Sequence, residues 1–329
     1  MPKGILPHHL LCSVLLLHLF LTGPSAKAES DSQTTARANI ALQQGRVDDA
    51  ASILRTGLST HPKDALSHQL LCRVFYAQDM ADLAIHECEL AVYNDPASSE
   101  NHLWLGRAYG MKASHANPLK AFTLARKVRD EFERSVQLDP QAPRAASDLG
   151  EYYISAPSIV GGGADKAQAL ITRIEPTFPM YSHRLRALLA EKDGDDAAAE
   201  REYKNAIAVS NAPTAWIDLA AFYQRHARPD QAVAAIQSAL AGSPQDAVLV
   251  DAASILTNAQ RSPEMAERLL LAYLHSSDKT DEAPAFKVHL QLGQLLALRG
   301  DAVGAHSPFA AALALASSYP PARKAVQGS

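Results

Sequence analysis

The sequence predicts an all-α protein assembled from repeated helix pairs, and three observations carry that expectation. Apolar residues recur at three- and four-residue steps in consecutive segments, with no alternating strand-like run. Punctuating prolines return at a regular interval, 34 residues from Pro62 to Pro96. Hydrophobic residues make up 47% of the 329 but aromatic ones only 6%. With Ala and Leu abundant, that balance suits close helix–helix packing better than a sheet.

The clearest unit is Pro213–Pro244. Trp216, Leu219, Ala220 and Tyr223 fall on one face of a first helix. Ala227-Arg228-Pro229-Asp230 breaks the pattern, with Pro229 suited to the first turn of a second helix. That helix presents Ala232, Ile236, Ala239 and Leu240, and Gly242 and Pro244 supply its stop signals. Small residues let the two helices approach while large ones fill the gaps beside them. One hairpin cannot bury its apolar face alone, so neighbours must stack on it.

The order W-x2-L-[GA]-x2-Y, then A-x3-[large apolar]-x2-A and a closing Pro, resembles a tetratricopeptide repeat (TPR). The resemblance extends over residues 34–317 in about eight in-phase units, and to bacterial secreted TPR proteins of unassigned function. It implies a right-handed α-solenoid of helix–turn–helix repeats at 34–319, after a leader at 1–28 and a polar lead-in at 29–33. Repeat one runs through Ala38, Ala41, Gly45, Ala50 and Leu54. Repeat two carries Leu71, Cys72, Phe75, Ala84, Cys88 and Ala91. Repeats three (Leu105, Gly106, Tyr109, Phe132) and four (Leu149, Gly150, Tyr153, Ala167, Ile171) are longer than the period. Their excess is placed in extended intra-repeat turns near 111–122 and 156–163. Repeat five holds Ala187, Gly194, Ala199, Tyr203 and Ala206; repeat seven Ala266, Leu270 and Tyr273, with Ser262 as the N-cap before Pro263. Repeat eight has Leu292, Gly293, Leu296, Ala305, Phe309 and Ala312, with Pro308 expected to kink its second helix. The tail, 320–329, is too short for a robust capping helix, so this end is expected to fray or to be covered by a partner.

Met1–Ala28 reads as a cleaved secretory signal: Lys3, the apolar core Leu10–Leu21, then Ala26-Lys27-Ala28 before Glu29. The apolar core is too short to span a bilayer, and an uncleaved short anchor is the alternative. Export implies a periplasmic or secreted protein. Cys12 lacks the small residues that a lipid-attachment site needs before it. The net charge of -4 argues against nucleic-acid or membrane-surface binding by bulk electrostatics. Cys72 and Cys88 fall on facing helices about one turn out of step, whereas a bridge needs Cα atoms within about 7 Å. They are read as buried free thiols, with a disulfide as the alternative.

Catalytic patterns are incomplete. His86-Glu87-Cys88-Glu89-Leu90 has Leu90 where a zinc-protease helix needs its second His. Gly161-Gly162-Gly163 lacks the Lys-Ser/Thr and the strand of a phosphate loop. Ser277-Asp278-Lys279 lacks the spacing of a Ser–Lys nucleophile. The expectation is a protein that is not an enzyme and uses no cofactor or metal.

Two surfaces remain as candidates. In TPR proteins the first helices line a concave groove, and carrying those positions over gives Gln69, Arg73 and Tyr76 in repeat two and Arg107 in repeat three. Repeat four adds Arg144 and Glu151, repeat five Tyr181 and Arg184, and repeat six Gln224 and Arg225. One arginine per repeat makes a locally basic groove, suited to carboxylates; the alternative is solvated charges paired with nearby acids. The carboxylate clamp of chaperone-binding TPR domains is not matched. Asn39 fits it, but Thr35, Leu70, Glu100 and Trp104 stand at other sites. The second surface is the edge formed by the two extended turns, with Lys112, His115, Ile159 and Val160 as contacts. The function expected is a non-catalytic scaffold or assembly factor of the cell envelope that binds a peptide segment of a partner protein. The alternative is a solute- or glycan-binding accessory protein using the same groove.

Overall fold

The computed structural model describes residues 26–242 and 247–328. The leader expected at 1–28 lies outside them up to residue 25, as does Pro244 of the clearest unit. The described residues form eight antiparallel helix pairs followed by a ninth element. The pairs are α1 (Ala26–Gln43) with α2 (Val47–Thr60), α3 (Ala65–Ala77) with α4 (Ala81–Asn94), and α5 (Ser99–Ser114) with α6 (Pro118–Leu138). Next come α7 (Pro143–Ser155) with α8 (Ala164–Ile174), α9 (Pro179–Lys192) with α10 (Asp196–Ser210), and α11 (Pro213–Arg225) with α12 (Pro229–Leu240). Then α13 (Ala247–Asn258) pairs with α14 (Pro263–His275), α15 (Ala285–Leu298) pairs with α16 (Ala302–Leu315), and α17 (Pro320–Gly328) ends the array.

Local sequence explains the boundaries. Proline opens α6, α7, α9, α11, α12 and α14, where its missing N–H is not needed. Asp64, Ser98, Asn117, Asp195 and Asp301 accept a first-turn N–H and so cap their helices. Ser262 does not act this way; it stands in the left-handed region (φ 47°) and its hydroxyl makes no cap bond. The hairpin turns need a left-handed residue, supplied by Gly45 in repeat one and by Asp79 at the same place in repeat two. Small residues sit where helices touch: a Cβ on Gly106 would lie 2.5 Å from the Phe132 ring, and one on Gly293 would lie 2.4 Å from Phe309.

Several expectations are corrected. The extra residues of repeat three form no extended turn at 111–122. Nothing in that stretch breaks a helix except Pro118, which starts one, so α5 grows to 16 residues and α6 to 21. In repeat four the excess lies between α7 and α8, in an ordered bend with a 3-10 turn at Ser158–Val160. The Tyr152 hydroxyl donates to the Val160 carbonyl at 2.8 Å and the Gly163 N–H to the Tyr153 carbonyl at 2.8 Å. Cys72 and Cys88 are joined in a disulfide with Cα atoms 5.2 Å apart. The antiparallel register of α3 and α4 absorbs the offset that linear counting put between them. At the far end, α16 runs through Pro308 without a break, and the tail is helical.

That end is covered by the chain itself. After one superhelical turn, repeat eight meets the hairpin-turn rim of repeats one and two. Ala285 stands against Gly45, where an added Cβ would lie 2.4 Å from the Ala285 nitrogen. Asp79 accepts from Lys287 Nζ at 2.8 Å and from the Tyr319 hydroxyl at 3.1 Å, and Asp48 accepts from the Ser317 N–H at 2.7 Å. Phe286 is fully buried and edge-on to Tyr319 at 5.0 Å. Phe286, Phe309 and Ala322 share one apolar cluster with Leu42, Leu70 and Val74 of the first repeats, while Leu292 and Leu295 of α15 join the cluster of repeats five to seven. The solenoid therefore closes on itself around an inner groove.

Candidate functional site

The first helices α3, α5, α7, α9 and α11 bring the arginines chosen from the sequence to the inner face, but none of the five is unpaired. Arg73 donates to Asp281 at 2.9 Å, Arg107 to Asp148 at 2.6 Å, and Arg144 to Glu100 and Glu282 at 3.0 Å each. Arg184 lies between Glu151 at 2.6 Å and Asp218 at 3.1 Å, and Arg225 grips both oxygens of Glu191 at 2.7 and 2.8 Å. The groove is thus a lattice of ion pairs rather than a basic surface. Acids from neighbouring repeats point into the same space, and linear spacing does not reveal that.

Burial sharpens this electrostatic frame. It works against the Arg184 charge, but the Asp218 and Glu151 carboxylates outweigh it and hold the guanidinium above its ordinary range. Burial also pushes the Asp148 and Asp218 carboxyls upward, only partly offset by their arginines. Trp104, which stands at a mismatched clamp position, is the centre of an aromatic–guanidinium cluster. Its ring lies under the Arg73 guanidinium at 5.2 Å and the Arg107 guanidinium at 4.8 Å. Tyr76 meets it edge-on at 5.4 Å, and its indole N–H donates to Glu100 at 2.8 Å. The ring is itself buried, so it acts as a plate that orients two partly enclosed guanidiniums, and these are the groups a carboxylate would meet.

The other candidates divide. Gln69 is only 3% exposed, so it is closed to a ligand; its Oε1 has no hydrogen-bond partner. Tyr181 is half-buried against Phe178 at 6.3 Å. On the outer edge the bend of repeat four meets α6: Arg126 reaches the Ile159 carbonyl at 3.5 Å and Arg129 the Val160 carbonyl at 3.4 Å. Ile159 is exposed, but Val160 is buried and cannot be an edge contact. Lys112 pairs with Asp82 of the preceding repeat, and His115 is exposed beside the Ser114 hydroxyl at 3.1 Å.

Sequence reasoning missed a second set of inter-helix pairs. His68 meets Glu87 at 2.6 Å and the Pro62 carbonyl at 3.1 Å; His102 meets Glu131 at 2.6 Å and the Pro96 carbonyl at 3.1 Å. His183 repeats the pairing with Glu202 at 2.7 Å. Burial alone would pull the His102 imidazole down, but Glu131 and the Pro96 carbonyl reverse the sign and raise it. The signal was present: His68 and His102 stand one 34-residue period apart.

Asp251 on α13 is the exception in the groove. It has no ion-pair partner among the described residues, and the residue remains exposed. Burial, with Asp218 and Glu282 nearby, pushes its carboxyl up to about 6. Because the folded value is raised, its favourable contribution is full below the ordinary carboxylate range and is lost as pH rises through about 6. Solvent screening at this exposed position reduces the effect to about 1 kcal/mol. Asp251→Asn is therefore expected to raise stability by about 1 kcal/mol at pH 7.5 and to change it little at pH 4. Urea denaturation at the two pH values checks this; equal shifts at both would show that charge is not the cause.

A separate cleft of ≈ 500 Å³ opens on the side of the second helices α10 and α12, above α11, lined by Ile207, Trp216, Leu219, Tyr223 and Ala235. Among the described residues no group of three or more His, Cys, Asp or Glu could hold a metal ion. No helix among them is long and apolar enough to cross a membrane.

Among the described residues, eight stacked helix pairs around an inner groove define an α-solenoid of the tetratricopeptide-repeat fold. No family model matches the chain, and no curated protein matches it. Solved structures do, TPR proteins among them. TTC0263, a thermophilic TPR protein of Thermus thermophilus, is 19% identical, with 69% of this chain and 99% of that one covered and a TM-score of 0.46. Yeast Tom70 is 14% identical, with 93% and 60% covered and a TM-score of 0.50. A tetratricopeptide repeat protein from Parabacteroides merdae is 16% identical, with 82% and 98% covered and a TM-score of 0.47. At these identities the likeness is one of fold.

Proposed function

We propose that this protein is a non-catalytic interaction scaffold or assembly factor of the cell envelope, which takes a segment of a partner protein in its inner groove. The observation that carries the reading is the row Arg73, Arg107 and Arg144, the first two held over the buried Trp104 ring: guanidiniums from consecutive repeats, oriented before any ligand arrives. Export is supported by the leader at Met1–Ala28 and by the Cys72–Cys88 disulfide, which suits an oxidising compartment. A second reading, a solute-binding accessory protein, draws support from the apolar cleft beside Trp216 rather than from the groove.

Photocrosslinking in the native cell tests the scaffold reading. A photoreactive phenylalanine analogue at Tyr76 or Tyr181, in the groove, is compared with one at Tyr93 or Val303, which are 81% and 85% exposed on second helices. The expected result is a discrete polypeptide adduct from the groove positions. Adducts from the outer positions alone, or from none, overturn it.

A further inference from the structure

The link between α14 and α15, Ser276–Pro284, has nine residues, whereas the links at 61–64, 95–98, 139–142 and 175–178 have four. It does not loop into solvent. The fully buried Tyr273 anchors its root, donating to the Ala283 carbonyl at 2.7 Å and accepting from the Thr280 N–H at 3.0 Å. So held, the link turns inward and presents two consecutive carboxylates to the groove. One Asp281 oxygen takes both Nε and Nη2 of Arg73, at 2.9 and 2.8 Å, across 208 residues of sequence. Glu282 takes Nη1 of Arg144 at 3.0 Å. One short acidic segment thus spans recognition groups of repeats two and four.

These contacts differ from the rest of the lattice. Arg107 and Arg184 pair with acids of adjoining repeats, which cannot leave without dismantling the stack. Arg144 keeps Glu100 whatever the link does. Arg73 depends on the link alone: among the described residues its ion pair is with Asp281, and both side chains are largely enclosed, at 14% and 11% exposure. Withdrawal of the link would leave a desolvated guanidinium on the Trp104 plate without an anion, a costly state until another carboxylate replaces it.

We infer that Ser276–Pro284 is a built-in acidic occupant of the groove, which blocks the site in cis and is exchanged for an acidic peptide segment carrying adjacent carboxylates. The inference rests on the groove reading above and names both its regulation and its partner class. The ligand competes with an internal segment, so its apparent affinity is lowered by the fraction of molecules in which the link is seated.

The test uses the full-length protein and the fluorescein-labelled nonapeptide Ser-Ser-Asp-Lys-Thr-Asp-Glu-Ala-Pro, the link's own sequence. The variant Asp281→Asn/Glu282→Gln keeps shape and removes both charges. It is expected to bind the peptide about tenfold or more tightly than the natural protein, the effect of freeing one charge-assisted pair. Adding Arg73→Gln should abolish the gain. The charge swap Arg73→Asp/Asp281→Arg refills the contact and should show no gain. Equal binding by the neutralised variant and the natural protein, or a gain that survives Arg73→Gln, overturns the inference. A readout on the natural protein covers a variant that fails to fold. Saturating peptide should speed amide hydrogen exchange across residues 276–284, and unchanged exchange overturns the inference. Groove photocrosslinks without peptide exchange would sink this inference alone, whereas their absence would remove the scaffold reading beneath it.

Discussion

Phe286→Ala is expected to open the closed solenoid. The ring is fully buried where repeat eight meets repeats one and two, stacked edge-on with Tyr319. Truncating such a side chain costs about 3–5 kcal/mol, from lost transfer energy and the cavity left behind. In a repeat array that cost falls on the nearest interfaces rather than on the whole molecule. Amides in α15, α16 and α17 should therefore exchange faster while those of repeats three to six hold. The radius of gyration from small-angle scattering should rise as the ends part. The seam's polar contacts are weaker levers: Lys287→Ala removes a partly exposed pair with Asp79 and should cost no more than about 1 kcal/mol. A uniform loss of protection after Phe286→Ala, or no change in dimensions, would show that closure is not held by this contact.

Removing the Cys72–Cys88 bridge should have the second-largest effect. The two residues are 16 apart in sequence, on the two helices of repeat two. Cross-linking a loop of that length is worth about 3 kcal/mol in the chain-entropy account. Cys72→Ala/Cys88→Ala is accordingly expected to lower stability by about that amount, focused on repeats one to three. The sulfurs lie in the core, so Ala rather than Ser avoids stranding a buried hydroxyl. Denaturation with and without a thiol reductant checks the assignment: reductant should destabilise the natural protein and leave the variant unchanged. An unchanged midpoint for the natural protein under reductant would mean that the bridge contributes nothing to its stability.

Repeat spacing made most of the fold legible. The Pro and Gly punctuation, the Leu-Gly pairs and the large residues opposite them are local demands of a helix hairpin, so Gly106 against Phe132 could be anticipated from one unit. The inserted residues of repeat three were counted correctly and placed wrongly. Length excess alone does not distinguish a longer loop from two longer helices, and helix-favouring residues around Pro118 decided for the second. The groove arginines were found, but their charge state as a group was not. Asp148, Asp218 and Glu191 stand one hairpin or one repeat from the arginines they neutralise, and Asp281 reaches Arg73 across 208 residues.

The sequence by itself determined the all-α repeat architecture and the count of about eight hairpins, because both follow from periodicity within one or two helices. The tertiary structure alone decided that the solenoid closes, that α17 is seated rather than frayed, that the cysteines are bridged, and that the groove holds an acidic link. These depend on where one full superhelical turn brings distant rims together. That position is the sum of many small rotations between repeats, and no local pattern of residues encodes it.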